Sequence, residues 1–167
     1  AHAKLLELAQ NATVPVINGL TDDSHPCQVM ADVLTVEEHK GPIRDLTVAY
    51  AGDGNNMVTS LVHAAVRFGF KLDIACPAEL SPKPGLLSWA HERQGRVSLT
   101  TVADDAVRGA DAVVTDTWIS MGDPEEEINR RRNLLEPYRI DQERLALAKP
   151  GAVFLHCLPA HRGEEVT

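Results

Sequence analysis

Aromatic residues make up only 4% of the 167 residues, and there are just three cysteines. A core so short of large rings has to be built from Ala, Val, Leu and Ile, which suits helices packed closely on a parallel sheet. Cys27, Cys76 and Cys157 cannot all pair and form no C-x-x-C, so neither a disulfide framework nor a zinc site is indicated. No stretch is long and apolar enough to cross a membrane, and the N-terminus lacks a signal-peptide pattern. The expected compartment is therefore reducing, most simply the cytoplasm. Positive charge is scarce too: the net charge of −8 argues against a nucleic-acid surface and for a small-molecule site. A starting Met is missing, and the chain stops in mid-pattern at Gly163-Glu-Glu-Val-Thr167, which reads as a domain excised from a longer protein.

What is present is ordinary for a globular domain: 44% hydrophobic and 24% charged residues. The spacing predicts a helix over Lys4–Ala12 with Leu5, Leu8 and Ala12 on one face. Val14–Asn18 reads as a short edge strand holding Pro15. A helix follows from His25-Pro-Cys-Gln28 to about His39, with Ser24 as N-cap and Pro26 in its first turn. Strands are then expected at Leu46–Ala51, Leu72–Cys76, Val97–Val102, Ala112–Asp116 and Ala152–Leu155. Between them fall helices at Met57–Phe68, Gly85–Arg93, Asp104–Gly109, Pro124–Leu135 and Asp141–Ala148. In the penultimate run of charge, Glu126/Arg130 and Glu127/Arg131 have the favourable i,i+4 order of a solvated face. Strands alternating with helices imply right-handed crossovers. The expected fold is α/β: a doubly wound, Rossmann-like parallel sheet of about five strands with helices on both faces, in one domain over residues 1–167.

Chemistry-bearing residues gather at strand ends and helix starts. The last strand runs into His156-Cys-Leu-Pro159, where Pro159 cannot continue a ladder and the backbone must turn. Asp116 ends a strand of small and apolar residues, so it is expected partly buried and in need of a cationic or N–H partner. His25 and Gln28 flank a helix's first turn, where free N–H groups and the dipole favour an anion or a carbonyl oxygen. Gly52-Asp-Gly-Asn-Asn56 suggests dinucleotide binding only superficially. Met57 stands where a third small residue belongs, and Asp73 falls at the start of its strand rather than the end. A tight turn presenting Asn55 or Asn56 amides to a polar or anionic ligand fits better.

Taken together, the segments HPCQ (His25–Gln28), DGNN (Asp53–Asn56), DTWISMG (Asp116–Gly122) and HCLP (His156–Pro159) resemble the ornithine-binding half of the ornithine carbamoyltransferases. The resemblance runs along the whole chain in order and spacing. It implies transfer of a carbamoyl group from carbamoyl phosphate to the δ-amine of L-ornithine, giving citrulline and phosphate. It places His25, Pro26, Cys27, Gln28, Cys157 and Leu158 at carbamoyl phosphate, and Asn56, Asp116, Ser120 and Met121 at ornithine. Asp116 and Cys157 are the catalytic candidates, and no metal or organic cofactor is implied. The resemblance also implies an N-terminal partner domain and a homotrimer or a multiple of it. The family's Ser-Thr-Arg-Thr phosphate loop is missing from the chain, as is the Arg that follows H-C-L-P in the family's closing C-terminal segment, so the chain is not expected to turn over alone. Competing readings are a carbamoyltransferase for putrescine or an N-acylated ornithine, and a non-catalytic amino-acid-binding domain.

Overall fold

The computed structural model describes residues 2–119 and 124–167. Five parallel strands form one sheet: β1 (Thr47–Ala51), β2 (Lys71–Ala75), β3 (Val97–Thr100), β4 (Ala112–Thr115) and β5 (Val153–His156), in the order β3-β2-β1-β4-β5. The helices are α1 (His2–Asn11), α2 (Pro26–Lys40), α3 (Asn56–Phe68), α4 (Leu86–Glu92), α5 (Ala103–Val107), α6 (Glu125–Leu135) and α7 (Gln142–Leu145). No helix among the described residues is long and apolar enough to cross a membrane.

Alternation along each strand sorts the core into two layers. Val48 and Tyr50 of β1, Leu72 and Ile74 of β2 and Val114 of β4 face α2, α3 and α4. Ala49 and Ala51, Ala75 and Val113 face the other side, against Ala103, Ala106 and Val107 of α5. Alanine on that face lets the short helix approach closely, which is how a chain poor in aromatics fills its core. Asp111 ties the lower end of the sheet, accepting from Thr47 N at 2.9 Å and from Lys149 Nζ at 2.8 Å. Asp141 caps α7 as expected, accepting from Arg144 N at 2.8 Å.

The chain runs outward from β1 to β2 and β3, then returns to place β4 on the opposite flank of β1. That reversal opens a crevice beyond the carboxyl ends of β1 and β4, the usual ligand position in open α/β sheets. Met57 to Phe68 forms the predicted helix, begun one residue earlier by Asn56 and ended by Gly69 at φ +77°.

Some local expectations differ from what is found. Val14–Asn18 forms no strand, and Val14 and Ile17 are 68% and 80% exposed. An apolar run becomes a strand only where a neighbour completes its ladder, and Pro15 lacks an N–H to offer one. Helix α1 forms but buries no residue: Leu5 is half-buried and Leu8 exposed. The N-cap of α2 is His25 rather than Ser24, whose Oγ accepts instead from Asn18 Nδ2 at 2.9 Å. On α6, Arg130 pairs with Glu127 at i,i+3, while Arg131 leaves the helix surface for Asp53. Asp73 occupies the centre of β2, where Lys71 Nζ and Ser98 Oγ take its carboxylate, each at 2.6 Å.

Candidate active site

The turn after β1 is built tightly. Gly54 N donates to Leu80 O at 2.9 Å, and buried Tyr50 donates its hydroxyl to Asp53 O at 3.0 Å. Asn55 caps α3 by accepting from Met57 N at 2.9 Å, which aims its Nδ2 outward to Asp116 Oδ2, also at 2.9 Å. Asn56 turns its Nδ2 to Thr21 O at 2.7 Å. Ser60, one turn into α3, donates to Asn56 O and accepts from His25 N at 2.8 Å, locking α2 to α3.

Asp116 follows the end of β4 and is 8% exposed. Its Oδ1 receives Thr117 N at 2.7 Å and Cys157 Sγ at 2.6 Å; with Asn55 on Oδ2, its donors among the described residues are all neutral. The two cations on the cavity wall are engaged elsewhere: Arg131 pairs with Asp53 and donates Nε to Trp118 O at 2.9 Å, and Lys83 pairs with Asp23. Among the described residues, Asp116 therefore holds a negative charge with no cationic partner, which suits it to receive an ammonium.

Beyond β5 the chain bends sharply. Leu158 sits at φ +54°, and the Leu158–Pro159 peptide is cis. His156 Nδ1 accepts from Leu158 N at 2.8 Å, and Nε2 faces Glu165 Oε1 at 3.1 Å, a pattern that places the ring proton on Nε2. Glu165 is fully buried and also accepts from His161 N. This brace leaves Cys157 with its thiol directed to Asp116. Burial, with the Asp116 carboxylate second, pushes the Cys157 thiol far above its ordinary range. The sulfur is thus a protonated donor, and Asp116 is the acceptor of the pair.

The thiol geometry has a measurable consequence. At pH 8, alkylation of Cys157 in the complete protein is expected at least about tenfold slower than that of an unstructured cysteine peptide, because only the thiolate reacts. Asp116→Asn should speed it. Peptide mapping by mass spectrometry reads both rates; labelling at the peptide's rate would contradict a donor thiol.

His25, Asn55, Asn56, Asp116, Cys157 and Leu158 all line one cavity of about 470 Å³. Pro26 lies on the other side of the α2 start, against Val29 and His63, and Cys27 is exposed with its thiol on Asn18 O at 3.4 Å. Gln28 turns inward to Asp32. Ser120 and Met121 lie outside the described residues. Asp53, Arg131 and Glu165 were not singled out as site residues, since nothing in the local pattern marks a charged residue whose partner is remote in sequence.

Sheet order, switch-point crevice and cavity together define a doubly wound α/β ligand-binding domain. The chain belongs to the aspartate/ornithine carbamoyltransferase family. Residues 44–167 match that family's Asp/Orn binding domain and residues 1–38 its carbamoyl-P binding domain, a division that the sequence pattern did not suggest. Ornithine carbamoyltransferase from Rhodopseudomonas palustris is 58% identical over 166 residues, covering 99% of this chain and 53% of the relative. The enzyme of the same name from Bradyrhizobium diazoefficiens is 59% identical with the same coverage. The solved ornithine carbamoyltransferase from Pyrococcus furiosus superposes with a TM-score of 0.91 at 44% identity, over 99% of this chain and 54% of that one. That from Gloeobacter violaceus gives 0.89 at 41% identity, over 100% and 56%. The chain spans about half the length of the curated relatives it matches.

Proposed function

We propose that this chain supplies the ornithine side of a carbamoyltransferase that converts carbamoyl phosphate and L-ornithine to citrulline and phosphate. The observation that carries the reading is Asp116, a buried carboxylate on the cavity wall held by Asn55, Thr117 and Cys157, with no cationic partner among the described residues. The δ-ammonium of ornithine supplies that cation. In the reaction one ammonium proton passes to Asp116, directly or through the cavity solvent, and the freed amine attacks the carbamoyl carbon. A C–N bond forms, the bond from carbon to the phosphate oxygen breaks, phosphate leaves with the electron pair, and the second proton of the attacking nitrogen passes to the departing phosphate. His25, at the start of α2, would polarise the carbamoyl oxygen as charge builds on it. Asn56, with Ser120 and Met121, would hold the amino-acid end and convert binding into orientation.

The relatives' names support this assignment, as does the family's pairing of a carbamoyl-P with an Asp/Orn domain. A homotrimer or a multiple of it, a cytoplasmic setting and a place in arginine biosynthesis accompany the proposal. The test is citrulline formation by the complete protein, with putrescine and an N-acylated ornithine as rival acceptors. Ornithine is expected to be the preferred acceptor, and the 167-residue chain alone is expected to form none. Turnover with a rival but not with ornithine would replace the assignment.

A further inference from the structure

Behind the first turn of α2 lies a carboxylate that the chemistry above does not use. Asp32 is 7% exposed; its Oδ1 accepts from Gln28 Nε2 at 2.9 Å, and its Oδ2 is buried without a hydrogen-bond partner among the described residues. This arrangement costs stability, since a buried carboxylate oxygen gives up water and gains nothing in return. Burial, only partly opposed by Gln28, accordingly raises the Asp32 carboxyl above its ordinary range. Its surroundings offer an easy apolar alternative: Val33, Val36, Ile43, Leu61 and Phe70 line the small void beside it. Packing does not account for an acid here.

Position does. His25, Gln28 and Asp32 fall at i, i+3 and i+7, on one face of α2, and His25 lines the cavity. The two ends of a glutamine amide are nearly equal in size, so shape alone cannot choose which faces a ligand. A carboxylate can: it only accepts, so Gln28 must turn its NH2 back to Asp32 and its oxygen away. We infer that Asp32 is a positioning residue, fixing the Gln28 amide so that its oxygen meets the carbamoyl end of carbamoyl phosphate. The inference rests on the carbamoyl-transfer reading given above. The cost in stability secures an orientation that a relaxed amide would hold only part of the time.

Asp32→Asn tests it, because asparagine keeps the volume but can either accept from or donate to Gln28, leaving both amide orientations open. Dissociation constants for carbamoyl phosphate and inorganic phosphate are to be measured by calorimetry on the complete protein and the variant, together with Tm. Both ligands carry the phosphate, so only the difference between them reads the carbamoyl end. Carbamoyl phosphate is expected to weaken about tenfold, equivalent to about 1.4 kcal/mol, while phosphate changes little. Tm should stay level or rise, and in a Gln28→Leu background the Asp32→Asn effect should disappear. Equal weakening of both ligands with a fall in Tm would make Asp32 a structural residue, and no change in either would remove it from the site. Asp32→Ala allows the same comparison if the Asn variant does not fold. A parent protein that fails to bind carbamoyl phosphate would instead overturn the functional reading itself.

Discussion

Asp116→Asn in the complete enzyme is expected to lower citrulline turnover and weaken ornithine binding together, kcat/KM falling by roughly 10- to 100-fold or more. A charge-assisted hydrogen bond contributes about 1.5–3 kcal/mol, and the substrate ammonium would lose one. The geometry adds a second penalty. Asp116 accepts from Asn55 Nδ2, Thr117 N and Cys157 Sγ, so all three neighbours point donors at it. An asparagine must turn its own NH2 towards at least one of them, and that donor loses its partner. Carbamoyl phosphate binding should change much less, because in the proposed reaction the cluster meets the amine. Steady-state kinetics with each substrate varied in turn separates the two effects. A folded variant with the parent's constants would reduce Asp116 to a brace for the β4 end.

Gly54→Ala is expected to act on the fold as strongly as Asp116→Asn acts on chemistry. A Cβ at Gly54 would stand 2.4 Å from Leu80 O, 2.5 Å from Pro82 N and 2.6 Å from Ser81 C. All three are backbone atoms, so no rotamer change relieves the contact, and either the β1–α3 turn or the Leu80–Pro82 segment must move. Overpacking of this kind costs about 1–3 kcal/mol, and the upper end applies where backbone meets backbone. For a domain of this size that is a Tm lower by several degrees, at about 2–4 °C per kcal/mol. The same shift would carry Asn55 away from Asp116, so ornithine binding should weaken even in the protein that remains folded. Thermal unfolding with parallel ornithine titration reads both; an unchanged Tm would show that the turn yields easily.

The order of elements and the edge of the sheet that carries the site were legible in the sequence because they depend on local signals. Strand periods, the Gly52–Asn56 and Gly69 turns and the stop at Pro159 are each read within a few residues, and parallel crossovers bring the strand ends to one edge. His25, Asn56, Asp116, Cys157 and Leu158 accordingly line the same cavity. The sequence did not say which polar group answers which. Asn55 finds Asp116 across 61 residues, Cys157 finds it across 41, and Arg131 reaches Asp53 across 78. Such pairs exist only once β1, β4 and β5 lie side by side. A polar side chain's local pattern records its exposure preference and not its distant partner. The tertiary structure also decided against the Val14–Asn18 strand, since a strand needs a neighbour's hydrogen bonds as well as its own propensity. It decided the inward turn of Gln28 too, because only packing α2 against the sheet and α3 encloses Asp32 and leaves its carboxylate to set that amide.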